Sequence, residues 1–309
     1  MFEQKTLSTA VEFEGRGLHT GKPARMRLRP APAGHGTIFS RSDLASHTLP
    51  ARHDYLSGTR LSTTLCRNGI QIGTIEHLLA GLSGLGIDNV RIELDGPEVP
   101  IMDGSALPFV EGILEAGLLR QDSPRSFLTI LKPVSVSEGD KRLVVFPGND
   151  LRITYAIDFP HPSIGYQERD LRLNSRNFTE EIAPARTFCL YKDVEAMRRQ
   201  GLALGGDLSN AVVVGDDGIL TGSLRYRDEF VRHKMLDLLG DIALLGRPVR
   251  GHFVAFKGGH GLHAALVQKL AQTPDAWRLT PGRTALPGSW IRSFDPLKAR
   301  LLPGHALSA

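Results

Sequence analysis

The stretch His233-Lys234-Met235-Leu236-Asp237-Leu238-Leu239-Gly240-Asp241 sets three ionisable side chains at i, i+4 and i+8 in an otherwise apolar segment. At about 100° per residue, His233, Asp237 and Asp241 fall within a stripe of roughly 80° on one helix face. Met235, Leu236, Leu238, Leu239 and Ile242 take the other side. Ionisable groups in line on a buried helix are costly unless they are paired or hold something. A second stretch, Thr74-Ile75-Glu76-His77, opens another apolar helix with a carboxylate beside a histidine. Two histidines, an aspartate and a spare glutamate are the inventory of a catalytic zinc site, with one position left for water and a general base nearby.

Each of these residues also has a plainer reading. A His-x-x-x-Asp pair on a helix is most often a hydrogen-bonded or ion-paired couple. The H-E-x-x-H motif is absent, and Gly73 removes its inverted form. Glu76 points about 100° away from His77, so it reaches a water more easily than a shared ion. As a first-turn acid it is also what the helix dipole favours. Asp241, one turn further along, suits the orientation of another histidine. His260 lies in Gly258-Gly259-His260-Gly261, just before a helix, and on these residues alone reads as an exposed turn histidine. With Asp241 as its partner it would stay protonated and donate to a leaving amine.

The elements that must carry these groups alternate short strands with helices. Lys5 to Phe13 and Ala24 to Pro30 read as strands, the second with apolar residues on one face and arginines on the other. Thr74 is the expected N-cap of a helix running to about Gly84. A strand over 89–94 and a helix over 107–118 follow. The polar, aperiodic run from Arg120 to Arg125 is the expected domain boundary. The second half repeats the plan, with strands over 128–136, 143–146 and 151–159. The His233 helix then leads to a strand over 252–256, a glycine turn and a helix over 262–271. The expected fold is therefore α+β, with two pseudo-duplicated α/β sandwich domains, 1–122 and 127–280, whose helices pack face to face. A small βαβ-type insert is expected at about 187–214, and 281–309 reads as a loosely packed tail.

Composition narrows the function. The 309 residues suffice for two domains of ordinary size. The net charge of +4 is dispersed, without the dense basic stripe of a polynucleotide binder, so no nucleic-acid partner is expected. Cys66 and Cys189 share no C-x-x-C spacing, which excludes a disulfide framework and favours a reducing compartment. No run approaches the ~20 apolar residues of a membrane span, and Met1 to Ala10 lacks an apolar signal core. The expectation is a soluble, cytoplasmic monomer. Gly205-Gly206 and the Gly17–Gly21 loop fit neither a dinucleotide fingerprint nor a P-loop.

Together these residues resemble the UDP-3-O-acyl-N-acetylglucosamine deacetylase family of lipid A biosynthesis. The matching stretches run almost end to end: Gly17-Leu18-His19-Thr20-Gly21, Thr74 to Leu79, Val99 to Ser105, Glu138 to Lys141, Ala185 to Phe188, Leu204 to Gly206, His233 to Asp241 and Lys257 to His260. The resemblance implies that His77, His233 and Asp237 bind zinc, with iron an alternative in the same site. It makes Glu76 the general base, and it makes His260, oriented by Asp241, the group that protonates the leaving nitrogen. Thr187 would donate to the oxyanion. Lys234, Lys141, Phe159 and Lys257 fall where the family holds the UDP moiety, and Phe188 also lies against substrate. Val194, Met197, Leu202, Ala203, Leu208 and Val213 would wall a passage for the acyl chain. Cys189, Leu190 and Asp207 depart from the family pattern, which puts chain-length preference in doubt. Two rival readings remain at this point, another zinc amidase or metallopeptidase and a non-enzymatic, metal-stabilised binding protein.

Overall fold

The computed structural model describes residues 2–44 and 47–282. The expected tail therefore lies outside the described residues, apart from Pro281 and Gly282. The fold is α+β, with several sheets and, among the described residues, six α-helices: α1 (Glu76–Leu85), α2 (Leu107–Ala116), α3 (Ser175–Asn177), α4 (Tyr191–Arg199), α5 (Glu229–Ile242) and α6 (His260–Ala271).

One sheet orders its strands Val11–Arg16, Pro23–Pro30, Val90–Leu94, Thr37–Arg41 and His47–Pro50. Pro23–Pro30 shows how period-two patterning builds it. Ala24, Met26 and Leu28 are buried, while Arg25, Arg27 and Arg29 on the other face pair with Glu14, Glu12 and Glu93. A second, seven-stranded sheet centres on Val249–Phe256, which runs parallel to Leu151–Phe159 and antiparallel to Lys141–Phe146. Helices α5 and α6 pack against strands of this sheet, and α1 packs against both α2 and α5. The α1–α5 contact brings the two stretches identified by their chemistry together.

Several local expectations change. The strand expected over Lys5 to Phe13 is two strands, Glu3–Leu7 and Val11–Arg16. The first pairs antiparallel with Leu118–Pro124. Most of the run read as an aperiodic linker is therefore strand; it is polar because it forms a half-exposed two-stranded ribbon. The strand over 128–136 breaks into Ser126–Ile130 and Val134–Glu138 around Pro133, which has no amide proton for a ladder. Gly165–Arg172 is a strand that periodicity missed: it alternates exposed and half-buried residues with hardly an aliphatic among them. Helix α2 stops at Ala116, where Gly117 takes φ +79°.

The stretch expected as an insert, about 187–214, carries a parallel strand pair joined by a helix. Phe188–Leu190 and Val212–Gly215 pair in parallel, with α4 between them, and Gly218–Ile219 adds an antiparallel strand. Both cysteines are free. No helix among the described residues is long and apolar enough to cross a membrane.

Candidate active site

Burial explains the orientation of α5. Met235, Leu236, Leu238, Leu239 and Ile242 join the hydrophobic core. That leaves the line of His233, Asp237 and Asp241 facing α1 and α6, where all three are also buried. Helix α1 enters differently from the expectation. Thr74 adopts φ +56° and its hydroxyl donates to Glu98 Oε1 at 2.7 Å, so it does not cap the helix. The helix begins after the buried Ile75, and Glu76 and His77 form its first turn.

At the crossing, Gly240 of α5 lies against the backbone of Glu76. A Cβ at Gly240 would stand 2.1 Å from the Glu76 carbonyl oxygen and 2.9 Å from its Cα. Glycine is therefore required, since neither helix backbone can yield locally. Gly240→Ala is expected to push the first turn of α1 aside, costing about 1–3 kcal/mol of stability and about a hundredfold in turnover. Thermal melting and steady-state kinetics check this, and a variant with unchanged turnover would contradict the close crossing.

The donor atoms of His77, His233 and Asp237 lie within 4.8 Å of one another. Asp237 Oδ1 is 3.2 Å from His233 Nε2 and 3.7 Å from His77 Nε2. His233 Nδ1 sits 3.0 Å from the Ala185 carbonyl, an acceptor only, so Nδ1 carries a proton and donates, which leaves Nε2 as the nitrogen turned toward Asp237 Oδ1. Asp237 Oδ1 is buried and accepts no hydrogen bond. A desolvated carboxylate oxygen left bare beside two imidazole nitrogens is costly in a folded core. A divalent cation would satisfy it, and the donor set of two nitrogens and one oxygen suits zinc. The other oxygen, Oδ2, accepts from Lys234 Nζ at 2.7 Å. Burial opposes the charge on Asp237, but His233 and Lys234 hold its carboxyl well below the usual range.

His260 is not the exposed turn residue that its glycine neighbours imply. It is the first residue of α6, it is buried, and its Nδ1 lies 2.8 Å from Asp241 Oδ2. Its Nε2 stands 3.7 Å from Glu76 Oε1. Burial disfavours the imidazolium, yet the Asp241, Glu76 and Asp237 carboxylates outweigh it and raise the pKa to about 9. Burial pushes Glu76 the other way from an ordinary carboxyl, up to about 7. Two titratable groups in one pocket thus hold an acid and a base close together.

Three residues of this network escaped the sequence reading. The Thr63 amide donates to Glu76 Oε2 at 3.0 Å, and its hydroxyl donates to Asp241 Oδ1 at 2.5 Å. His263 Nδ1 shares Asp241 Oδ2 at 2.8 Å, and its Nε2 meets the Tyr155 hydroxyl at 3.0 Å. Asp241 therefore orients two imidazoles and one hydroxyl. The i, i+3 spacing of His260 and His263 on one helix was the available signal; Thr63 and Tyr155 offered none.

A cavity of about 950 Å³ opens onto these groups. Glu76, His77, His233, Lys234, Asp237, His260 and Thr187 line it, as do Lys141, Phe159, Phe188 and Lys257. Phe188 packs edge-on to Phe159 and His233, with Lys234 Nζ 5.5 Å from its centroid. Lys257 Nζ is held by Asp140 at 2.9 Å and Asp158 at 3.2 Å. Val194, Met197, Ala203, Leu208 and Val213 line the insert side, together with Cys189, Leu190 and Asp207. Leu202 is the exception. Its amide closes the end of α4 on the Met197 carbonyl at 2.9 Å, and it does not line the cavity. Asp241 also stands back, behind His260.

Residues 4–272 match the family described as UDP-3-O-acyl N-acetylglycosamine deacetylase. A protein of Myxococcus xanthus named UDP-3-O-acyl-N-acetylglucosamine deacetylase is 50% identical over 284 residues, covering 91% of this chain and 90% of its own. Proteins of the same name from Syntrophotalea carbinolica and Citrifermentans bemidjiense are 45% and 46% identical, covering 94% and 90% of this chain and 94% and 92% of theirs. With a match over nearly the whole chain, and relatives of this name 45–50% identical, the chain belongs to the UDP-3-O-acyl N-acetylglycosamine deacetylase family.

Proposed function

We propose that this chain hydrolyses the N-acetyl group of a UDP-3-O-acyl-N-acetylglucosamine, releasing acetate and the free amine for lipid A biosynthesis. The observation that carries the reading is the bare, buried Oδ1 of Asp237 beside His77 and His233, with Glu76 Oε1 and His260 Nε2 3.7 Å from each other in the same cavity. His77, His233 and Asp237 would hold a zinc ion. Such an ion polarises an amide carbonyl and makes water a stronger acid near neutral pH.

The chain's own groups account for the proton movements. Ionised Glu76 takes a proton from the water that attacks the acetyl carbon. Protonated His260, fixed through Nδ1 by Asp241, gives its Nε2 proton to the nitrogen as the carbon–nitrogen bond breaks. Thr187 at the cavity wall serves the oxyanion. Lys234, Lys141 and Lys257 offer positive charge to a diphosphate, and Phe159 and Phe188 offer aromatic faces. The wall of Val194, Met197, Ala203, Leu208 and Val213 suits an aliphatic chain.

Helices α1 and α5, which carry the proposed ligands, pack against each other. That supports two α+β halves, 1–122 and 127–280, meeting at the site; we further propose that the chain works as a soluble, cytoplasmic monomer. A peptide substrate would find little use for an apolar wall and three lysines. Acetate release from the acylated UDP-sugar by the metal-loaded chain tests the proposal.

A further inference from the structure

Glu98 is buried, and four donors converge on its carboxylate. The amides of His19 and Thr20 each donate at 2.8 Å, and the hydroxyls of Thr20 and Thr74 each donate at 2.7 Å. No cationic side chain pairs with it among the described residues. An unpaired buried carboxylate persists only when its oxygens are fully hydrogen-bonded. These donors come from two separate elements. Thr74 is the left-handed entry to α1, two residues before Glu76. His19 and Thr20 belong to the Gly17–Gly21 loop, which supports the insert. Gly205 and Leu204 donate to the Leu18 and His19 carbonyls, and the Ala203 amide donates to His19 Nδ1.

The stacking is tight. A Cβ at Gly17 would lie 2.1 Å from Glu98 Oε2, and one at Gly205 would lie 2.2 Å from the Gly17 carbonyl. Insert, loop, Glu98 and the entry to α1 therefore form one column, with Ala203 of the cavity wall at one end and Glu76 and His77 at the other.

We infer that Glu98 is a positioning residue that locks the acyl-facing wall of the cavity in register with the helix bearing Glu76 and His77. It thereby makes turnover depend on the acyl chain. The inference rests on the deacetylase reading with an aliphatic substrate arm. Glu98 touches no substrate and acts through the loop and Thr74. Glutamine in its place turns an N–H2 group toward donors it cannot accept from. Thr20→Val removes the loop hydroxyl and leaves the carboxylate.

The test is steady-state kinetics of the full-length, zinc-loaded chain on an acylated UDP-N-acetylglucosamine and on the same sugar nucleotide without the acyl group. Wild type must prefer the acylated compound in kcat/KM; no preference in wild type would overturn the substrate reading and, with it, the acyl dependence assigned to Glu98, whereas failure in the variants alone would overturn only the coupling role. Given that preference, Glu98→Gln and Thr20→Val are each expected to shrink the ratio of the two kcat/KM values at least about tenfold, through KM for the acylated compound, as Thr20→Val loses one charge-assisted hydrogen bond and Glu98→Gln disturbs the two at one oxygen. Glu98→Asp should retain part of the ratio. If Glu98→Gln does not fold, Thr20→Val decides. A ratio that stays at the wild-type value, or equal losses on both compounds, would overturn the coupling role and leave Glu98 a structural clamp.

Discussion

Replacing Glu76 with glutamine is expected to lower kcat by about 10²–10⁴-fold while the protein keeps its metal. The substitution preserves shape, and the carbonyl of glutamine still accepts the Thr63 amide that now donates to Oε2. What it removes is basicity. His77, His233 and Asp237, whose donor atoms cluster without Glu76, are left in place. Metal analysis and single-turnover kinetics on the same preparation separate the two effects. Unchanged turnover would contradict the base role, and loss of metal together with turnover would move Glu76 into the ligand set.

His260→Ala is expected to cost turnover on the same scale and, more tellingly, to erase one side of the pH profile. The signs follow from the two proposed roles, Glu76 as base and His260 as acid. Glu76 works ionised, so activity falls as pH drops through its pKa, raised by burial to about 7. A cation held beside both groups favours the carboxylate and disfavours the imidazolium, so it moves both limbs lower. His260 works protonated, so activity falls as pH rises through its pKa of about 9. Metal-loaded wild type should therefore give a bell whose alkaline limb lies below the metal-free value of about 9, and His260→Ala should lack that limb. Asp241 keeps His263 and Thr63 as partners in the variant, so gross unfolding is not expected. A variant with the full bell would contradict the acid role.

Much of the candidate site was legible because the residues proposed as ligands obey helical periodicity. His233, Asp237 and Asp241 announce one face of one helix, and the structure keeps them on it. The division of labour among them was less legible, since it depends on what approaches from elsewhere. Asp241 is tied to Thr63, 178 residues away, and to two histidines on α6. His260 looked exposed because glycines flank it, but those glycines mark the start of a helix that buries it. Thr74 has the side chain of an N-cap, yet a buried carboxylate at position 98 competes for its hydroxyl and wins. Gly240 carried no signal, because only the backbone of α1 explains it. In the fold, strands with one apolar face were readable, whereas Gly165–Arg172 and Leu118–Pro124 were hidden by polar side chains on half-exposed ribbons.

The central claim is that a metal held by His77, His233 and Asp237 is needed for release of acetate from an acylated UDP-N-acetylglucosamine. Acetate release before chelation, after chelation and after addition of zinc tests it most directly. The prediction is loss of turnover with the metal and recovery at one zinc per chain, with no recovery in Asp237→Ala. Full acetate release from the metal-free chain would contradict the account.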